Sequence, residues 1–418
     1  MSADLTLAVI GAGPVGLALA LQAARALPTA QVTVFDARPA DKDVSGDPRT
    51  LALSLGSIQL LQRLGAWQAE RAEPILEVHV SQQPPSGLPM TELLPPFLQR
   101  RLESPELSIR ALDEGVPQLG AVLSYGHIVA PLQQAWLAAE RAEPARLHSR
   151  YGTPVAALKN LERAVEVDAG IAERFDLVVV AEGGVYAERA AGEGPAGRAL
   201  AALPRSPLRH DYAQTAWVGQ VTFDPAVARR RGVAFERFTR HGPAALLPLQ
   251  GDRSALVWCV ASADDPVREL DDAQRVVVLN DIFPRDIGRI ASVSPLKAFP
   301  LGLVAERTLT EGRTVRIGNA AQTLHPVAGQ GLNLGLRDAF DLVHALREDA
   351  DVDGVLRRLE WQRAPDRWAM IAATDFLARS FTWVLPGAGA ARGLGIAALQ
   401  ALGPVKSALA RQMMFGRR

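Results

Sequence analysis

Gly11-Ala12-Gly13-Pro14-Val15-Gly16 is the stretch that decides the fold. It follows the short apolar run Leu5–Ile10, which reads as a buried strand. It opens a run to Leu27 with helical spacing, Pro14 in its first turn and Pro28 just past its end. Gln31–Phe35 alternates towards a second strand, and Asp36 ends that strand twenty residues after Gly16. Strand, glycine turn, helix and strand make a βαβ unit, which predicts a parallel sheet. Gly11 supplies the tight turn, Gly13 leaves room for a pyrophosphate, and Gly16 allows the helix to lie close to the strand. The helix N-terminus offers free N–H groups and a partial positive charge to phosphates. Asp36 can accept hydrogen bonds from a ribose. The fingerprint predicts a dinucleotide and does not separate NAD from FAD.

Working outward, 418 residues predict two or three domains at ~100–200 residues each. Lys+Arg and Asp+Glu both number 45, so the chain lacks the basic excess of a nucleic-acid binder. The single cysteine, Cys259, forms no internal disulfide or cysteine-based zinc site and reads as a small buried apolar residue. No histidine spacing suggests a metal, and none is expected. The N-terminus lacks a secretory pattern, and no run of ~18 uncharged apolar residues suggests a spanning helix. Helices are expected at Ile58–Gly65, Val129–Ala142 and Gly331–Leu346, and a buried strand at Asp176–Val180. Prolines 84, 85, 89, 95 and 96 mark a change of architecture. Short alternating runs from Trp217 to Pro300 read as antiparallel sheet. Strand Thr314–Ile317 then leads into a second glycine-rich loop.

That loop runs Gly318-Asn319-Ala320-Ala321-Gln322-Thr323-Leu324-His325-Pro326-Val327-Ala328-Gly329-Gln330-Gly331-Leu332-Asn333. A dehydrogenase using only NAD does not need it, whereas a long cofactor does. Together with the first motif it resembles the flavoprotein hydroxylases of the p-hydroxybenzoate hydroxylase type. Asp47-Pro48-Arg49-Thr50-Leu51-Ala52-Leu53-Ser54 and Ala234-Phe235-Glu236-Arg237-Phe238-Thr239-Arg240-His241-Gly242-Pro243 resemble segments of the ubiquinone-biosynthesis hydroxylases, and the match runs along essentially the whole chain. The second loop is most similar to hydroxylases of 2-polyprenyl-6-methoxyphenol.

The resemblance implies an α/β fold, α+β overall. A Rossmann-like FAD domain would be assembled from residues 1–75, 100–185 and 301–350. A β-sheet substrate domain would comprise 76–99 and 186–300, and a helical region 351–418. The resemblance also implies FAD contacts from Gly11, Gly13, Pro14, Gly16, Asp36, Arg49, Gly318, Asn319, Pro326, Gly329, Gly331, Leu332 and Asn333. Pro326, Gln330 and Gly331 would wall the reacting face of the flavin. NAD(P)H would be a transient reductant, and O₂ would form a C4a-hydroperoxyflavin that hydroxylates a polyprenylated phenol. Asn319 replaces the family's usual Asp, keeping an acceptor without charge. Glu182 likewise stands where most members have Asp, displacing the carboxylate by a methylene. His325 reads equally well as catalytic or loop-shaping. A reductase of a prenyl lipid and a non-catalytic subunit of a quinone-biosynthesis assembly remain alternatives.

After Asp375 the chain has six basic residues and no acid, interleaved with apolar ones, leaving 39 basic and 45 acidic residues in 1–375. Basic plus apolar is an interfacial pattern; a core-packing helical tail is the other reading. The expected location is cytoplasmic, peripheral to the inner membrane, with residues 376–418 meeting the membrane or a biosynthetic complex.

Overall fold

Every residue of strand Thr6–Ile10 after Thr6 is buried, so the strand has no polar face and fits only a sheet covered on both sides. The computed structural model describes residues 5–83, 105–182, 207–325, 329–380 and 388–416. In it, Thr6–Ile10 pairs in parallel with Gln31–Asp36 on one side and Leu177–Val180 on the other. Thr314–Arg316 extends the sheet beyond Leu177–Val180, and Leu147–Tyr151 lies beyond Gln31–Asp36. Strands far apart in sequence thus build one six-stranded sheet. Helices α1 (Pro14–Ala26), α2 (Leu55–Arg63) and α3 (Tyr125–Ala142) share the largest apolar cluster with the sheet. Ser54 and Ser124 cap α2 and α3 by accepting from Ser57 and His127 backbone N–H groups.

The alternating middle forms a nine-stranded sheet built on the long strand Leu208–Phe223. Most pairs are antiparallel as expected, but Val233–Thr239 runs parallel to Glu77–Gln82. Two expected boundaries are corrected. Glu106–Arg110 pairs with Glu77–Gln82 in this sheet, so the boundary at residue 100 falls inside the large-sheet segment. Lys297–Ala305 crosses position 301 as one strand. The physical reason is burial: Leu107 and Ile109 pack with Ala234 rather than against the Rossmann sheet. The five prolines lie outside the described residues. Within the middle region, α4 (Asp272–Ile282) was not anticipated, although Asp271 and Gln274 form a full capping box before it.

Helix α5 (Gly331–Glu348) follows the second loop. Three C-terminal helices come next: α6 (Val352–Ser380), α7 (Ala388–Ala401) and α8 (Gly403–Phe415). A buried ion network fixes α6 to α5. Arg363 reaches Asp338 at 2.8 Å, Asp366 at 3.0 Å and Asp341 at 3.1 Å. Arg367 donates to the Gln322 side-chain oxygen at 2.6 Å.

Candidate cofactor and substrate site

The first motif is shaped by close approach. Gly11 has φ +105°, and a Cβ there would lie 2.9 Å from the Glu182 backbone. A Cβ at Gly16 would lie 1.9 Å from the Gly11 carbonyl oxygen. Gly13 is different: a Cβ there would meet only the Tyr125 hydroxyl, at 3.6 Å, so the space beside it is open. Gly13 also precedes α1 without a side-chain cap, leaving the first-turn N–H groups facing that space. Asp36 accepts from the Ala12 N–H at 2.6 Å and the Arg38 N–H at 2.7 Å. It therefore shapes the loop, while each carboxylate oxygen keeps room for a ribose hydroxyl. Arg49 lies 4.1 Å above the Tyr125 ring, beside Gly13, and forms a two-pronged pair with Asp47.

The second loop comes to the same place. A Cβ at Gly318, where φ is +58°, would lie 3.3 Å from Val15 of α1. One at Gly335 would lie 2.7 Å from the Gly318 Cα and 2.8 Å from Val15. Gly335 is thus what lets α5, α1 and the Gly318 turn touch, and its Gly-Leu-Asn-Leu-Gly spacing was the available signal. Gly329 has φ +58° and Gly331 begins α5. The α5 N-terminus also has no side-chain cap, and a Cβ at Gly331 would meet only Asn319, at 3.8 Å. Leu332 is half-buried, Asn319 exposed and Gln330 buried. Pro326 lies outside the described residues.

Asn333 departs from its expected role. Its side-chain oxygen accepts from the Ser54 N–H and the Ser57 hydroxyl, each at 2.8 Å, and its amide donates to the Ala52 and Gly329 carbonyls at 3.0 Å. The side chain therefore clamps the second loop to strand Thr50–Ser54 rather than pointing at a cofactor. His325 is buried too: it bonds Gln214 at 3.2 Å and meets the Tyr212 ring edge-on. Burial pushes its pKa down to about 4, so it is neutral near pH 7.

Two uncapped helix N-termini therefore border open space beside the two loops. That pattern fits an extended, doubly charged dinucleotide such as FAD, its pyrophosphate at α1 and its flavin at α5. Gly11, Gly13, Asp36, Arg49, Gly318, Asn319, Gly329 and Gly331 border or shape this space.

A cavity of about 630 Å³ adjoins it, between the large sheet, Gly329–Gln330 and helices α7 and α8. Its wall is almost wholly apolar, including Val78, Leu247, Val257, Ile396, Leu399 and Met413. Glu236 and Arg392 are the charged side chains among its described lining residues. Sequence reasoning missed Glu236, an acid between Ala234 and Phe238 on the cavity-facing side of an otherwise apolar strand.

Residues 190–374 match a family model described as an FAD binding domain. The structure resembles Klebsiella pneumoniae HpxO complexed with FAD and uric acid, with TM-score 0.68 and 16% identity over 100% of this chain and 98% of that one. It resembles p-nitrophenol 4-monooxygenase PnpA from Pseudomonas putida equally, with TM-score 0.68 and 17% identity over the full length of both. The fold is the p-hydroxybenzoate hydroxylase-like fold of these solved structures.

By sequence the chain is similar to proteins named as ubiquinone-biosynthesis hydroxylases. It is 37% identical to ubiquinone hydroxylase UbiL of Rhodospirillum rubrum over 210 residues, 49% of this chain and 48% of that protein. It is 30% identical to human mitochondrial ubiquinone biosynthesis monooxygenase COQ6 over 238 residues, 47% and 50% of the two chains. The chain thus spans about half the length of these curated relatives. It is 29% identical to 3-demethoxyubiquinol 3-hydroxylase of Escherichia coli over 96% of both.

Proposed function

We propose that the protein is an FAD-dependent monooxygenase that hydroxylates the ring of a polyprenylated phenol, 2-polyprenyl-6-methoxyphenol, in ubiquinone biosynthesis. The observation that carries this reading is the apolar cavity opening onto Gly329–Gln330. A phenol with a polyprenyl chain needs an apolar enclosure for the chain and a reacting edge at the flavin. FAD, when bound and reduced by NAD(P)H, supplies the activated oxygen. The chain's own residues hold the cofactor by the two loops and exclude water with the cavity wall. The positive N-terminal end of α5 would stabilise charge on a reduced flavin held beside it.

The apolar outer residues of α8 support entry of the substrate from a bilayer. Leu402 and Val405, at the start of α8, are 53% and 52% exposed. No single helix among the described residues is long and apolar enough to cross a membrane. The test of function uses purified protein carrying FAD, NADH or NADPH, and 2-polyprenyl-6-methoxyphenol under ¹⁸O₂. Substrate-stimulated oxidation of the reductant with one ¹⁸O in the product is expected. Oxidation with no oxygen incorporated would favour a reductase and overturn the reading. Comparison of the product with authentic regioisomers fixes which ring carbon is hydroxylated.

A further inference from the structure

Glu236 sits where a carboxyl is hard to explain structurally. It lies mid-strand in Val233–Thr239, paired with Val80 on one side and Ala245 on the other. Both neighbours, and Val257 beyond Ala245, are apolar cavity wall. The side chain makes no hydrogen bond or ion pair among the described residues, and the surface it exposes borders the cavity. Other charged groups nearby turn away. Arg237 donates to the Ile282 carbonyl, and His79 packs on Phe235 and pairs with Glu106. The titratable groups that face the same cavity are the Cys259 thiol, which burial keeps protonated, and Arg392 of α7. No tyrosine or histidine is among the described lining residues. An uncompensated carboxyl in such a wall is costly to bury, and such costs collect at working sites.

We propose that Glu236 receives the phenolic hydroxyl of the substrate in this cavity and takes its proton as the ring is hydroxylated. The inference rests on the phenol-hydroxylase reading above and adds the group that activates the ring. The phenol O–H bond breaks and the proton bonds to a Glu236 oxygen. The electron pair stays on the phenolate oxygen and enriches the ring carbons that take up oxygen. O₂ and NAD(P)H, through FAD, remain the oxidant and reductant of the overall reaction. When the hydroxylated carbon loses its own hydrogen as a proton to water, the C–H electron pair returns to the ring, which becomes aromatic again, and the phenolate oxygen recovers a proton from Glu236. Burial pushes the carboxyl up to about 8, between an ordinary glutamate and a phenol. That is close to the working pH, where a general base is most effective.

The experiment compares wild type, Glu236→Gln and Glu236→Asp, each loaded with FAD, on 2-methoxyphenol and ring-fluorinated analogues of increasing acidity. Product and hydrogen peroxide are measured from pH 6 to 9. Wild type should show product formation rising towards pH 8. Glu236→Gln should keep FAD and oxidise NAD(P)H but make about 100-fold less product, the usual contribution of a general base, with peroxide released instead. Its deficit should shrink as the phenol becomes more acidic, which a packing defect would not do. Glu236→Asp should keep a rising pH limb at reduced rate. Wild-type yield and pH profile in Glu236→Gln, or a deficit independent of phenol acidity, would overturn the proposal and leave the hydroxylase reading intact. Absence of product from wild type with every phenol would remove the hydroxylase reading itself.

Discussion

Asn333 uses all four of its hydrogen-bonding capacities inside the protein, two as acceptor and two as donor. Replacing it by Asp keeps the acceptors but turns an oxygen towards the Ala52 and Gly329 carbonyls. Leaving buried groups unpaired costs about 1–3 kcal/mol each. Asn333→Asp should therefore lower the thermal midpoint by several degrees and speed FAD loss, read by calorimetry and flavin fluorescence. Asn333→Gln with an unchanged midpoint would show that the clamp is not needed. His325 gives a pH-dependent case. Its folded pKa, about 4, lies below the ordinary histidine value. Between ~6.5 and ~4 the unfolded chain binds a proton that the folded chain refuses, so stability present above that window falls as pH falls. His325→Gln should narrow this loss: its midpoint difference from wild type should shift in the variant's favour from pH 7 to pH 4.5. A difference constant with pH would contradict a buried neutral imidazole.

At the scale of elements, α6 is held by buried charge as well as by apolar residues such as Val355, Leu356 and Leu359. Arg363 is buried and pairs with the buried Asp338 and Asp366 and the half-buried Asp341, and Arg367 is buried against Gln322 and the Glu306 and Ala321 carbonyls. Burial alone would weaken the guanidinium charge, but Asp338, Asp341 and Asp366 together raise the Arg363 pKa. Removing one partner from such a network leaves unpaired buried charge, at about 3–5 kcal/mol. Arg363→Met should destabilise by that order in urea unfolding, whereas the double variant Arg363→Met with Asp338→Leu should recover part of the loss. If the single variant unfolds like wild type, the network is not what docks α6. The sequence shows why legibility differs between elements. The βαβ unit was readable because Gly11, Gly13 and Gly16 encode backbone close to backbone at fixed spacing. The second loop was readable because its glycines recur before a helix. The network was not readable, since apart from Asp366 the partners of Arg363 and Arg367 lie 22 to 61 residues away, and charges in a helix ordinarily face water. Nor could alternation separate Glu236 facing a cavity from a glutamate facing solvent. The boundary at residue 100 failed because prolines in a sequence do not tell to which sheet the next strand returns.

At the scale of the whole molecule, the C-terminal region divides its chemistry between inside and outside. Among the described residues, the tail's positive charge is less available than its count suggests. Arg379 pairs with Asp375 at 3.1 Å, Lys406 donates to the Ser108 carbonyl at 3.1 Å, Arg411 lies 3.9 Å from Glu114, and Arg392 lines the cavity. The inner face of α8 is core: Ala410 and Met414 are buried, and the Met413 carbonyl accepts from Arg337. Deleting residues 376–418 would remove a cavity wall along with any docking surface, so loss of membrane binding after deletion would not separate the two. Leu402 and Val405 do separate them, being exposed and absent from the cavity lining. Leu402→Gln with Val405→Gln should leave folding within about 0.5 kcal/mol, as exposed substitutions usually do. At about 1 kcal/mol of apolar transfer per side chain, vesicle partitioning should fall roughly 30-fold. Flotation with phosphatidylethanolamine–phosphatidylglycerol vesicles measures this, and binding by wild type should depend only weakly on salt because the basic groups among the described tail residues are engaged. Unchanged flotation of the double variant would show that these apolar residues do not meet the bilayer. A steep salt dependence would return the role to the charges.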